Sequence, residues 1–416
     1  MRVLIVNAHR NLVGGVEKYL QAVLPGLLDC GHELGLLHQY PADPDREHID
    51  PPAGFGRLWC LGKSDPQAAL DSVAEWKPDV VYSQGLEGRE SETLERTLLS
   101  RHRVVLYVHN YDRTCATGRK CYSFPEFKPC DRQLGPGCLA LHYPRRCGGL
   151  DPRNMWEQYQ RNTQLNSQLA GHAAVLVASR HMHREMERHG VDSEKLFLAP
   201  LPTTDAKPES TPPVSKPITG KILFVGRLTD IKGAGYLIQA IPGAARELGR
   251  TLTLQIAGDG PEGDKLRALA NRLGVAVEFL GWVPTMEKLN LMRRVDLLAV
   301  PSLWPEPFGL VGIEAGCLGL PAVGYATGGI PDWLVAGETG ELAPGDPPTV
   351  EGLAEAIIRA LASPEHHARL ATGAWSLAKL FTLENHLARL EPILAGLPAS
   401  SVARQPGAGM GVLHEC

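Results

Sequence analysis

The sequence predicts an α/β protein made of two parallel-sheet domains that face each other across a cleft. Three observations predict it. Short apolar runs alternate with amphipathic stretches along most of the chain, the pattern of successive strand–helix–strand units. The alternation breaks once, between Pro200 and Thr219, where six prolines stand in a stretch with little that could pack. The length, 416 residues, suits two or three domains at roughly 100–200 residues each.

In the first half the strand candidates are Val3–Asn7, Glu33–His38, Val80–Ser83, Val104–His109, Ala174–Ala178 and Leu196–Ala199, and helical patterns such as Val16–Leu28 and Arg153–Ala170 separate most of them. After the proline-rich linker a second series begins, with strands expected over Ile222–Val225, Leu252–Ala257, Val277–Leu280, Leu297–Val300 and Ala322–Tyr325. Its helices are expected over Gly233–Leu248, Pro261–Leu273, Leu310–Leu318, Thr349–Ala362 and Pro364–Leu380. The organisation that follows is a first domain over 1–205, a second over 218–382, a last amphipathic helix within 383–396, and a Gly/Ala/Ser-rich tail over 397–416 expected to be disordered. Two such halves leave a cleft at the carboxyl ends of both sheets, where open α/β folds bind ligands.

Composition narrows the function classes. A net charge of -4 argues against a dedicated nucleic-acid binder. From Arg101 to Pro200, however, Lys and Arg outnumber Asp and Glu 15 to 9. Such an excess suits a solvated face, and it also suits contact with an anionic acceptor or a membrane surface. Val3–Val6 is too short for the apolar core of an export signal, and no run approaches the ~18 apolar residues of a spanning helix. A cytoplasmic protein, with peripheral contact to the inner face of a membrane left open, is the expectation.

Five loops carry candidate chemistry. Trp304-Pro305-Glu306-Pro307-Phe308-Gly309 leads from a strand into a helix that holds Glu314 about one turn in. The backbone N–H groups of Phe308, Gly309, Leu310 and Val311 stand at that helix start, where free donors favour an anion or sugar hydroxyls. Two carboxylates beside them suit a ligand with both phosphates and diols; a capped helix with two surface acids is the plain alternative. Gly226-Arg227-Leu228 with Lys232-Gly233 follows another strand, and two fixed cations there can neutralise a departing diphosphate. Gly258-Asp259-Gly260-Pro261-Glu262-Gly263 fits the dinucleotide fingerprint, with Glu278 downstream, so a nicotinamide enzyme is a rival. Against it, the first strand is followed only by Gly14-Gly15, and Pro261 reads as a first-turn helix proline. Gly14-Gly15-Val16-Glu17 and His109 end strands at the same cleft edge, and Gly328-Gly329 opens another loop where backbone can approach a ligand.

Taken together these motifs resemble the family 4 retaining glycosyltransferases, which have the GT-B fold of two Rossmann-like domains. The likeness spans nearly the whole chain: Gly14 to Glu17, His109, Gly226-Arg227-Leu228 with Lys232-Gly233, Ala257 to Pro261, and Glu306 and Glu314 at the family's E-x7-E spacing. The resemblance implies a nucleotide-sugar donor, a hexose transferred to a saccharide or lipid-linked acceptor, and no cofactor for catalysis. It implies that Glu314 binds the ribose diol and Glu306 a hexose hydroxyl near the reacting carbon. Arg227 and Lys232 hold the diphosphate, the Gly258–Gly260 turn lines the base pocket, Gly15 lets the first loop approach the diphosphate or acceptor, and His109 faces the sugar. The final helix crosses back to brace the first domain. Front-face attack needs positioning and charge stabilisation rather than an enzyme nucleophile. The sole D-x-D, Asp43-Pro-Asp45, lies in a proline-rich loop with no strand before it, in keeping with a metal-independent reaction. A sugar-nucleotide epimerase, a glycan phosphorylase and a nucleotide-sugar-binding regulatory protein share the fold and stand as alternatives.

The departure from the family pattern is an insertion over about 112–150 holding Cys115, Cys121, Cys130, Cys138 and Cys147. At about 40 residues without periodicity it exceeds what loops sustain unaided. Four thiols could hold a structural zinc, but no C-x2-C pair occurs, and unlinked thiols are the equal alternative. Disulfides are disfavoured at a cytosolic address. Following His109, the insertion is expected to overhang the acceptor side of the cleft.

Overall fold

The computed structural model describes residues 1–49, 55–62, 65–214 and 216–397. The first domain runs β1 (Arg2–Asn7), α1 (Gly15–Asp29), β2 (Glu33–His38), β3 (Arg57–Cys60), α2 (Pro66–Trp76), β4 (Val80–Ser83), α3 (Ser91–Arg101) and β5 (Val104–Val108). The insertion contributes β6 (Cys121–Tyr122), β7 (Lys128–Pro129) and α4 (Gly137–Leu141) before α5 (Pro152–Ser167), β8 (Ala174–Val177), α6 (Arg180–Arg188) and β9 (Leu196–Leu198). Seven of these strands form one sheet in the order β3-β2-β1-β4-β5-β8-β9, every pairing parallel.

The second domain runs β10 (Lys221–Val225), α7 (Ala234–Leu248), β11 (Thr253–Ala257), α8 (Gly263–Leu273), β12 (Val277–Gly281), α9 (Thr285–Arg294), β13 (Leu297–Val300), α10 (Leu310–Cys317), β14 (Ala322–Tyr325), β15 (Gly340–Ala343), α11 (Val350–Leu361), α12 (Pro364–Ala378) and α13 (Leu383–Leu394). Its six-stranded sheet is ordered β12-β11-β10-β13-β14-β15 and is parallel throughout. Two parallel sheets of this order make the GT-B fold. Strands buried on both faces explain the continuous apolar runs: Val3 to Val6 and Leu297 to Leu298 are fully buried, as helices cover each sheet on both sides.

Local chemistry sets the helix starts. Gly14 caps α1 by donating its backbone N–H to Glu17 Oε2 at 2.9 Å. Asp151 caps α5, accepting from the Arg153 N–H, with Pro152 in the first turn. Helix α8 begins at Gly263, two residues past Pro261. The expected first-turn proline therefore lies in the preceding turn, which the Glu262 N–H ties to the Leu228 carbonyl at 3.0 Å.

Two further expectations change. The proline-rich stretch after Pro200 is packed rather than loose: Ala206 is buried, the Thr203 N–H donates to Phe381 O at 2.9 Å, and the Glu209 N–H donates to Cys317 O at 3.0 Å. The insertion has structure of its own, with a β6–β7 hairpin and the short α4. Its anchor is polar: fully buried Lys120 pairs with Glu185 of α6 at 2.5 Å. It also reaches the second domain, where Arg119 pairs with Asp230 at 2.7 Å and Lys128 with Asp346 at 3.1 Å. Of the tail expected over 397–416, all but Leu397 lies outside the described residues.

Helix α13 returns to the first domain and packs on α1. Tyr19 Oη meets His386 Nε2 at 2.8 Å, and Arg103 donates to the Leu394 and Ile393 carbonyls at 2.6 and 2.9 Å. Gly26 of α1 makes room for Leu387, which a Cβ would overlap.

Behind the first sheet, buried Glu95 of α3 receives both Arg113 guanidinium nitrogens, at 2.7 and 2.5 Å, with His172 Nε2 3.2 Å away. Burial raises its carboxyl pKa, but Arg113 and His172 outweigh that and lower it from 4.5 to about 2. A carboxylate with a depressed folded-state pKa stabilises fully above its unfolded value and loses that contribution as pH falls toward the folded value. Urea unfolding across pH 5 to 2 should therefore show the native chain losing on the order of 3 kcal/mol that Glu95→Gln does not lose. Parallel pH profiles for the two proteins would contradict this.

Candidate functional site

In each sheet the strand order reverses beside the first strand of the domain, between β1 and β4 and between β10 and β13. The crevice outside such a reversal is where a doubly wound sheet leaves room for a ligand. The loop after β10 carries Gly226, Arg227 and Lys232, and the loop after β13 carries Glu306, so these residues come from the two strands that flank the second reversal.

The loops meet directly. Lys232 Nζ lies 2.6 Å from Glu306 Oε1, and Ser302 Oγ donates to the same oxygen at 2.6 Å. Glu306 is buried, which by itself pushes its carboxyl up; the Lys232 charge and the Ser302 hydrogen bond more than offset this, and the group lies below its ordinary range. Lys232 also stands 5.3 Å from the Trp304 ring centroid. Gly233, in the left-handed region at φ 72°, lets this loop pass against the Pro301 carbonyl.

The loop after β14 holds the Glu306 segment from the other side. The Gly329 N–H donates to Glu306 O at 2.6 Å, Thr327 Oγ1 to Ser302 O at 3.0 Å, and Trp333 Nε1 to Phe308 O at 2.7 Å. The close approach that Gly328 permits is to the Glu306 backbone, which a Cβ would overlap. Gly309, at φ 92°, caps α10, and Leu310 and Val311 open that helix beside buried Phe308.

Glu314 sits one turn into α10 and is likewise buried. Lys288 of α9 reaches its Oε2 at 2.7 Å, and the same ammonium lies 2.7 Å from Asp205 Oδ2. Burial raises the Glu314 pKa, and Lys288 only partly counters it. Asp205 in turn meets Lys18 of α1 at 2.9 Å, so a chain of charges runs from the first domain to Glu314. Lys288, Asp205, Lys18 and Ser302 were not among the candidates the sequence suggested. Lys288 lies on a helix whose pattern was not recognised, and Asp205 lies in the stretch expected to be a loose linker.

Arg227 lies on the same loop as Lys232 but is exposed and forms no ion pair with a described residue. The glycines of the Gly258–Gly260 turn serve their own domain: a Cβ at Gly258 would overlap Gly226 O, and one at Gly260 would crowd the Leu228 backbone. The Gly260 N–H donates to Asp259 Oδ1 at 2.7 Å. That internal packing accounts for the fingerprint spacing without a dinucleotide.

On the first domain, His109 is partly buried, stacked on Tyr107 at 4.5 Å, and its Nε2 lies 2.8 Å from Gln84 Oε1. Burial, with His386 nearby, lowers its pKa to about 3, so the ring is neutral. Tyr111, two residues on, donates to Pro305 O at 2.8 Å and ties this edge to the Glu306 loop. Gly14 serves the helix cap, and a Cβ at Gly15 would meet no protein atom. The two domains also touch where Arg180 Nε meets Asp332 Oδ1 at 2.9 Å.

Cys115, Cys121, Cys130, Cys138 and Cys147 are all free thiols. Among the described residues no three His, Cys, Asp or Glu side chains come together as a metal site would need. Cys115 Sγ instead accepts the Lys120 N–H at 3.3 Å, and Cys130 Sγ donates to Tyr122 Oη at 3.3 Å. Burial pushes the Cys121 thiol up to about 12.

Residues 207–375 match the family described as Glycosyl transferases group 1. Glycogen synthase of Mycobacterium tuberculosis (strain ATCC 25618 / H37Rv) is 39% identical over 164 residues, which make up 38% of this chain and 38% of that protein. D-inositol 3-phosphate glycosyltransferase of Corynebacterium glutamicum (strain R) is 35% identical over 183 residues, 42% of this chain and 43% of that one. The chain thus spans about two fifths of the length of these curated relatives. Among solved structures, Anabaena Alr3699/HepE in complex with UDP and glucose superposes with a TM-score of 0.66 at 20% identity, covering 95% of this chain and 100% of that one. Sucrose-phosphate synthase (tll1590) from Thermosynechococcus elongatus superposes at 0.64 and 19% identity, over 94% and 98% of the two chains. The fold is therefore shared along almost the whole chain, and the family match falls on the second domain and the segment just before it.

The Gly226–Gly258 contact joins the β10 and β11 loops. Gly258, at φ 149°, has no room for a side chain. Gly258→Ala should lower stability by about 2 kcal/mol or more, because either the backbone or the Arg227 loop must move. Unchanged thermal unfolding of that variant would contradict the packing described.

Proposed function

We propose that this protein is a retaining glycosyltransferase that moves a hexose from a nucleotide diphosphate onto a saccharide or lipid-linked acceptor. The observation that carries the reading is the convergence of Lys232 on Glu306 at 2.6 Å, across the two loops that flank the second-domain reversal. The group 1 match over 207–375, which contains Gly226, Arg227, Lys232, Gly258 to Gly260, Glu306 and Glu314 but not Gly14, Gly15 or His109, supports it. So does a fold neighbour whose structure holds UDP and glucose.

In the proposed reaction Arg227 and Lys232 bind the diphosphate, and Glu306 accepts a hydrogen bond from a hexose hydroxyl near the anomeric carbon. Glu314, shared with Lys288, takes the ribose diol. The bond from the anomeric carbon to the diphosphate oxygen breaks, and the acceptor oxygen forms its bond on the same face. The departing phosphate oxygen takes the acceptor proton. The residues needed are those that fix geometry and stabilise the growing charge. No enzyme nucleophile or metal is invoked. His109, held neutral, lies on the first-domain wall and offers a hydrogen bond rather than a charge to the transferred sugar.

A thermal-shift panel of nucleotide sugars, starting from UDP-glucose, should raise the melting temperature for one donor by ligand-linked stabilisation. With that donor, Glu306→Ala, Arg227→Ala and Lys232→Ala should each lower kcat by about 10²-fold or more while circular dichroism stays native. Near-normal turnover in all three would reject the assignment. Product analysis with and without free phosphate separates transfer from phosphorolysis and epimerisation.

A further inference from the structure

The first-domain wall also informs acceptor choice, an inference that rests on the transferase reading above. At the carboxyl ends of β1, β4 and β5 lies an open pocket of about 560 Å³, counted out to solvent. Glu17, Glu87 and Asp112 line it, and so do His109 and Gln84. Its one lining guanidinium, Arg113, is committed to Glu95 in the buried pair described above. Arg161 lies 3.8 Å from Asp112, and His9 Nε2 lies 3.3 Å from Glu87. Glu17 is held by Asn7 Nδ2 and the Gly14 N–H, both at 2.9 Å. Among the described residues the pocket therefore presents three carboxylates, each with the partners just named, and no uncommitted cation. Burial holds the Asp112 carboxyl above its ordinary range, and Glu87 adds to this, although Arg161 and Arg113 act to lower it.

A second observation points to a ligand. Gln84 is more than nine-tenths buried on this wall, its Oε1 engaged with His109; its Nε2 lies near the Tyr82 hydroxyl but meets no acceptor in good hydrogen-bond geometry. A buried amide donor without an acceptor is costly to leave so, and a ligand hydroxyl can accept from it. Hydroxyls can equally donate to the carboxylates. A phosphate can do neither without meeting like charge.

We infer that this pocket takes the sugar end of a hydroxyl-rich acceptor that carries no phosphate or carboxylate there, an amine being accepted where a phosphate is refused. The pocket and the Glu306 loop adjoin through the Tyr111–Pro305 hydrogen bond, which brings such an acceptor to the proposed reacting centre.

The test uses the full chain with the nucleotide sugar that the thermal-shift panel selects. Release of nucleotide is measured with myo-inositol, D-inositol 3-phosphate and glucosamine at equal concentration. Inositol or glucosamine should stimulate release about tenfold more than the phosphate does. A preference for the phosphate, or equal response to all three, overturns the inference. In the double variant Glu87→Gln, Asp112→Asn that discrimination should fall about threefold or more, with donor affinity unchanged by titration. Undiminished discrimination in the variant also overturns it. Failure of every nucleotide sugar to bind would instead strike at the transferase reading itself, so the two failures are distinguishable.

Discussion

The contact on which the site depends is the ion pair between Lys232 and Glu306. Each residue comes from a different loop, and the strands that launch those loops, β10 and β13, are neighbours only because the sheet order reverses there. A buried carboxylate is costly without a partner. Glu306 has an ammonium and a hydroxyl on one oxygen, and its backbone carbonyl is held by Gly329. Without Lys232 the loop would have a reason to reorganise and expose the acid. The pair therefore holds the geometry as well as supplying charge.

The same economy of parts joins the domains. Lys18, Asp205, Lys288 and Glu314 form a run of contacts at 2.9, 2.7 and 2.7 Å that starts on the first helix of one domain and ends on the helix after β13 of the other. Burial and the two lysines act in opposite senses on Asp205, and the lysines prevail, lowering its pKa. A shift of one domain on the other would stretch this run first at Lys18, the most exposed member. Helix α13 and the insertion add separate ties, one apolar and aromatic around Tyr19 and His386, the other ionic at Asp230 and Asp346. Asp230 lies between Arg227 and Lys232, so the insertion touches the very loop that carries both proposed diphosphate ligands.

Much of this was legible in the sequence, and the exceptions have physical causes. Strands such as Val3–Val6 and Leu297–Val300 announce themselves because a sheet covered on both faces demands unbroken apolar runs. Helix α6 does not: in Arg180–Arg188 only Met182 and Met186 are apolar, both fully buried, and charged residues surround them. Strand β15 is four residues long with Glu341 inside it, paired to Arg359 at 2.9 Å, and reads as a loop. The insertion was opaque for the same reason. Its order comes from Lys120 with Glu185, a polar pair that no hydrophobic period can reveal. Glu306, Glu314, Arg227 and Lys232 were visible as motif spacings, whereas Lys288 and Asp205 became candidates only when tertiary structure set them against Glu314.

The two walls of the cleft differ in charge, and that difference gives the fold its division of labour. The second-domain wall offers Arg227 and Lys232 beside a helix start, a surface for anions. The first-domain wall offers Glu17, Glu87 and Asp112, with Arg113 committed to Glu95 and Arg161 standing 3.8 Å from Asp112. Under the proposed function a ligand with phosphates would be drawn to one side and repelled from the other, which disfavours a diphosphate bound backwards across the cleft. A polyol without phosphates has no such quarrel with the acidic wall, and His109, kept neutral by burial, adds no charge of either sign. Under the proposed function, orientation in the cleft follows from the sign of the charge each domain presents there, before any shape complementarity is considered.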